Sequence, residues 1–272
     1  MFKMKNKSFL AFLATLIFLL TPAFSLAAEE AAPTPFIVED IGIMTISGKW
    51  KAVSAEEVLT AMDKMIAANP VVKKQVDSST QALDPAAAAA TAATAATPTQ
   101  PPYDFTKAKD TLIQQLKDNN IKIYQVAVDS NNTYYTTYLI FYKEDKPISP
   151  NELALFGKNT SKADRQTFTD QLKEFQSFIT SMTQSIPENY KSYINAEVLP
   201  VAPPESLTVK GLPAYAFETR IALNFLGLTA PSYAKIYLLN LDGYKTYAAI
   251  SCADSERHFW NKTFKSMLTS LK

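Results

Sequence analysis

Residues able to do chemistry are few in this 272-residue chain, which holds one His and one Cys. Ser232-Tyr233-Ala234-Lys235 has the S-x-x-K spacing in which a lysine assists a nucleophilic serine, and Ser130-Asn131-Asn132 resembles its S-x-N companion. That chemistry needs Ser and Lys on one helical face. Here the tetrad opens a predicted strand, where positions three apart point to opposite faces, and no Lys-Thr-Gly follows. Asp129-Ser130-Asn131 matches the start of a calcium loop, but Tyr134 and Ile140 stand where Gly and Glu are required. A hairpin turn accounts for those residues. His258, beside Arg257 and near Asp254 and Glu256, falls in the first turn of the last predicted helix with no nucleophile or metal partner, and is expected to be exposed there. Cys252 lies in the apolar run Tyr244–Cys252 and is expected as a silent core position. There is no phosphate loop, dinucleotide fingerprint, zinc-protease pair or nucleophile elbow. These residues imply no catalytic group, no cofactor and no metal site.

The aromatic residues offer a different kind of site. Tyr134, Tyr135, Tyr138 and Tyr142 lie on one predicted hairpin, and Tyr134, Tyr138 and Tyr142 share one face of it. Tyrosine makes amphipathic contact surfaces, so that face is the candidate interface.

The first 27 residues assign a compartment. Lys3, Lys5 and Lys7 precede the apolar run Phe9–Leu20, Thr21-Pro22 ends it, and Ser25 and Ala27 are the small residues of a cleavage site between Ala27 and Ala28. As a helix the apolar run is about 18 Å long, short of the ~30 Å hydrocarbon slab. It reads as a signal peptide, and no Cys stands at the cut for lipid attachment. The membrane is then expected as a partner only during export, unless the leader is retained. Without the three leader lysines the chain carries 24 basic against 26 acidic groups. A near-neutral chain lacks the footprint of a nucleic-acid binder.

Behind the leader, residues 28–35 form a flexible lead-in and residues 36–272 a single domain interrupted by a low-complexity stretch, 78–102. That stretch contains AAAAATAATAA and a proline cluster and reads as a disordered spacer. Phe36–Ala52 reads as two short strands. Ser54-Ala55-Glu56-Glu57 is a capping box opening a helix, and Asp104 caps another that ends at Asn119-Asn120. Ile121–Val128 and Thr133–Tyr142 read as a hairpin, and Ser149-Pro150-Asn151-Glu152 caps a short helix ended by Gly157. Ser161–Ser185 is the longest helix, with a stripe of Phe168, Leu172, Phe175, Ile179, Met182 and Ile186. The stripe lasts under three heptads without charged flanks, so it is expected to dock inside the domain, and a monomer is expected.

Tyr193–Leu199, Ser206–Lys210 and Ala214–Leu223 follow as strands, the last two parted by a Gly-Leu-Pro turn. Ser232–Leu241 and Tyr244–Cys252 flank Asp242-Gly243, a hairpin signal. Asp254 or Ser255 then caps a helix whose apolar face is Phe259, Trp260, Phe264, Met267, Leu268 and Leu271. Helices and hairpins without a strand–helix–strand repeat imply an α+β fold with a largely antiparallel sheet flanked by helices.

This order of elements resembles the PsbP-like superfamily, which includes photosystem II extrinsic subunits and DcrB-type bacterial envelope proteins. The resemblance is carried by the Gly-containing lead into Trp50 and by Leu207-Thr208-Val209-Lys210-Gly211-Leu212-Pro213-Ala214-Tyr215. The Tyr233–Cys252 hairpin and the closing Phe264…Ser270-Leu271-Lys272 complete it. It is best from Tyr193 to Lys272; the alanine stretch and the long helix are extra. It implies an α/β/α sandwich acting as a non-enzymatic accessory or binding domain, with an envelope protein or ligand as partner. Two alternatives stand beside it. One is a secreted hydrolase working without His through Ser232 and Lys235. The other is a membrane-tethered interaction protein with its leader retained.

Overall fold

The computed structural model describes residues 33–46, 48, 50–54, 56–57, 60, 113–114, 116–126, 137–184, 194–225 and 228–272. The leader with Ala27 and Ala28, the 78–102 stretch, the Asp129–Asn132 turn and Tyr134 lie outside them. The chain forms two compact units, Ser54–Asn120 and the remainder. In the smaller unit the capping box closes as its spacing predicts. The Ser54 N–H donates to Glu57 Oε2 at 2.8 Å, and the Glu57 N–H donates to Ser54 Oγ at 3.1 Å.

The larger unit opens with a two-stranded sheet, β1 (Thr34–Val38) against β2 (Gly42–Ile46). Where the sequence suggested two strands there are three. β3 (Trp50–Val53) leaves the hairpin and becomes the edge of the main sheet, pairing with β4 (Lys122–Val126). Next come β5 (Tyr138–Pro147), α1 (Pro150–Phe156), α2 (Lys162–Gln184), β6 (Ile194–Val198), β7 (Glu205–Val209), β8 (Leu212–Phe225), β9 (Leu228–Leu241) and β10 (Tyr244–Ala253). A single 3-10 turn, Asp254–Glu256, leads into α3 (Arg257–Thr269). The main sheet has eight strands among the described residues, in the order β3-β4-β5-β10-β9-β8-β6 with β7 also on β8, and every pairing is antiparallel.

Period-two alternation divides the sheet residues between two layers. Phe141, Tyr237, Leu239, Ile250 and Cys252 share one face with the β1–β2 hairpin and with Trp260, Phe264, Met267 and Leu268 of α3. On the opposite face Tyr215 meets Phe156 of α1 and Phe168 of α2 edge-on, with ring centroids 5.4 and 4.5 Å apart, and Phe217 meets Phe175 at 5.6 Å. Those α2 residues are the stripe expected to dock inside the domain. The fold is α+β, an antiparallel sheet with helices on both faces.

Turn chemistry explains two strand boundaries. Asp242 and Gly243 have φ of 54° and 85°, the paired positive values that a tight hairpin following the strand twist needs. Lys210 and Gly211 do the same at 50° and 75°. The β7–β8 turn is therefore Lys210-Gly211, and Pro213, assigned to the turn from sequence, sits in β8 opposite Thr208. Earlier in the chain, β5 runs through the charged residues Lys143–Lys146, because Tyr142 and Lys143 still pair with Tyr247 and Thr246.

Candidate functional site

Charged side chains gather at one corner of the α3 face, and the strand pattern puts them there. β8 places Ala214 and Ala216 under α3, so Glu218 and Arg220 follow on the same face. The outer edge of β8 is divided: β7 pairs with Leu212–Ala216 and β6 with Ile221–Phe225. Chain 199–204 fills the gap. The Leu199 N–H donates to the Arg220 carbonyl at 2.9 Å and the Ala202 N–H to Glu218 Oε1 at 2.8 Å. A cleft of about 290 Å³ opens beside it. Glu205, Glu218, Tyr233 and Lys235 form its sheet wall, and Arg257, His258 and Asn261 of α3 form the other.

Ion pairs hold both walls. Arg220 grips Asp254 with two bonds, Nε to Oδ1 and Nη2 to Oδ2, each 2.7 Å. Arg257 Nη1 reaches Asp254 Oδ2 at 3.0 Å. Arg220's hydrogen bond holds the Asp254 carboxyl below its usual range, burial opposing, with the charges of Arg220, Arg257 and His258 adding to the drop. Lys235, 7% exposed, donates to Glu205 Oε1 at 2.7 Å. Burial pushes the Glu205 carboxyl up, but the Lys235 hydrogen bond and charge, with that of Lys265, outweigh it and leave the group lowered. The Tyr233 hydroxyl donates to Glu218 Oε2 at 3.0 Å, and burial with the Glu218 charge holds the phenol protonated.

The residues singled out from sequence fall in different places. Ser232 and Lys235 emerge on opposite faces of β9. Lys235 lines the cleft, while Ser232, 2% exposed, has no hydrogen-bond partner for its Oγ among the described residues. That separation removes the hydrolase built on the pair. His258 stands exposed in the first turn of α3, as its position implied, and borders the cleft. Cys252 is buried, and burial raises its thiol well above the ordinary value.

Asp254 is not the side-chain cap expected of it. Glu256 occupies the N-cap of α3 without a side-chain capping bond, and the Asp254 carboxylate is taken by the two arginines. Phe259, placed on the apolar face from sequence, is 37% exposed and packs on Trp260 at 4.9 Å. Of the tyrosine face, Tyr138 is 3% exposed and offers little ring to a partner. Tyr142 is half-buried, stacks on Tyr247 at 5.7 Å, and has its hydroxyl pushed up to about 12 by burial and the nearby Glu144 and Asp145. Glu205, Glu218, Arg220 and Asn261 were missed. The available signal was charge inside apolar strands, since Glu218, Arg220 and Lys235 interrupt runs that are otherwise core.

Among the described residues no group of three His, Cys, Asp or Glu side chains could hold a metal ion, and no helix is long and apolar enough to cross a membrane. No family model matches the chain, and no curated protein does. Among solved structures it is similar to the solution structure of cyanobacterial PsbP (CyanoP) from Synechocystis sp. PCC 6803. Sequence identity is 12% and the TM-score 0.30, over 57% of this chain and 87% of that one.

Proposed function

We propose that this chain is an exported, non-catalytic binding domain of the bacterial envelope, which holds a protein or small ligand rather than transforming it. The observation that carries the reading is the cleft between β8, β9 and α3, where ion pairs hold both walls in place beside an open concavity. Groups fixed in this way present a ligand with preset donors and charges, so less ordering is lost on binding. The leader over residues 1–27, with its cleavage pattern at Ala27-Ala28, supports export.

The test is a photo-reactive side chain introduced at 258 or 261, irradiated in the native envelope and compared with the same group at Lys173 on α2. Discrete adducts formed only from the cleft positions are expected. Adducts indifferent to position would overturn the reading, as would a turnover abolished by one side-chain change.

A further inference from the structure

We infer that the cleft takes a carboxylate-bearing ligand, held by Arg257, His258 and Asn261. This deepens the binding reading above and rests on it. Its basis is the hydrogen bonding of the carboxylates in and beside the cleft and of the side-chain donors on its α3 wall. The carboxylates in and beside the cleft are already engaged. Glu218 accepts from the Ala202 N–H through Oε1 and from the Tyr233 hydroxyl through Oε2. Glu205 Oε1 accepts from Lys235, with Lys265 3.9 Å from Oε2. Asp254 receives Arg220 and Arg257 together.

The donors on the α3 wall are engaged only in part. Arg257 uses Nη1, which donates to the Asp254 carbonyl at 3.1 Å and to Oδ2 at 3.0 Å. Its Nε and Nη2 have no partner among the described residues, and neither ring nitrogen of His258 has one. Asn261 Oδ1 accepts from the Tyr237 hydroxyl at 3.2 Å, which leaves the Nδ2 hydrogens. Surplus donors beside satisfied acceptors call for an anion.

Geometry narrows the anion. With Nη1 tied to Asp254, the remaining edge of Arg257 is the Nε–Nη2 fork, whose two parallel N–H groups match a planar carboxylate. Asp254 fixes that guanidinium through Nη1. A planar group with a single negative charge suits that fork. A phosphate dianion would instead bring its second charge against Glu205 and Glu218. Ala202, Pro203 and Ala216 give the rest of the lining an apolar part, and about 290 Å³ suits a small ligand or one terminal residue rather than a larger molecule. The carboxylate belongs either to a free short organic acid or to a polypeptide C-terminus.

The experiment follows the His258 ring and Asn261 amide signals of the purified protein by NMR. Four probes test the carboxylate: butyrate, its amide, an acetylated tri-alanine peptide with a free C-terminus, and the same peptide amidated. Inorganic phosphate serves as a fifth. The acids are expected to shift both signals and the amides to leave them in place. Binding of both acids assigns a free short acid as sufficient; binding of the peptide acid alone assigns a chain terminus. Arg257→Lys, which keeps the charge and loses the fork, should weaken the acid about tenfold or more at an unchanged melting temperature. His258→Ala, at an exposed position, should weaken it a few-fold. Equal binding of acid and amide, phosphate binding tighter than either acid, or full affinity in Arg257→Lys overturns the inference. If no acid binds while a cross-linker at 258 still captures a partner, the carboxylate fails and the binding reading stands. If neither happens, both fail.

Discussion

The two ends of α3 meet the same sheet face through opposite chemistry. Toward its C-terminus Phe264, Met267 and Leu268 are fully buried, and the Phe264 ring lies 5.4 Å from Tyr237 and 6.2 Å from Phe141. Toward its N-terminus Arg257, His258 and Asn261 border a charged cleft that the helix does not fill. Apolar burial at one end carries the helix, so the other end is held in position without having to supply much stability. Groups relieved of a packing role are free to serve recognition, and substitutions at the two ends should separate accordingly.

Phe264→Ala should be the most damaging change, costing about 3–5 kcal/mol by lost burial and a residual cavity. Denaturant unfolding measures it, and a cost below 1 kcal/mol would break the contrast. Asp254→Asn comes second, at about 2 kcal/mol, because it leaves Arg220 and Arg257 without their shared carboxylate. Acid should reproduce part of that loss. The folded Asp254 carboxyl is held below its ordinary value, so the unfolded chain takes up a proton first as pH falls. The contribution is complete above about pH 4, the unfolded value, and fades as pH drops through the lower folded one. A wild type and an Asp254→Asn variant whose stabilities fall in parallel below pH 4 would sink that account.

A change where the β1–β2 hairpin meets residues 271–272 should cost a similar amount. A Cβ on Gly42 would stand 2.6 Å from the Lys272 carbonyl oxygen and 2.9 Å from Leu271 Cδ1, at a φ of 139° that side chains rarely adopt. Gly42→Ala should therefore lose about 1–3 kcal/mol, and a melting temperature equal to wild type would show the contact to be slack. The smallest effect belongs to His258→Ala, within about 0.5 kcal/mol in stability. A larger loss would mean that the polar end carries structure after all.

The same contrast marks what was legible beforehand. Short-range signals worked: Ser54 and Glu57 cap each other, Asp242-Gly243 turns the last hairpin, and Phe168 with Phe175 docks α2 on the sheet. Each depends on residues a few positions apart. The cleft depends on register between distant strands, which sets Glu218 opposite Lys235 and lets Arg220 reach Asp254 across 34 positions. No local spacing encodes such a meeting. Asp254 was misread for that reason, since a helix-start aspartate predicts a cap only where no arginine claims it. Pro213 was misread because a proline at a hairpin suggests the turn itself, whereas positive φ at Lys210 and Gly211 had already made the turn.

The β1–β2 hairpin is stitched to the far end of the chain: Ile43 and Lys272 exchange two backbone hydrogen bonds, and the Thr45 N–H donates to Ser270 Oγ across 225 positions. A ribosome releases the hairpin long before it releases Lys272. The hairpin's seat against residues 270–272 therefore forms only after the 225 positions between Thr45 and Ser270 have been made.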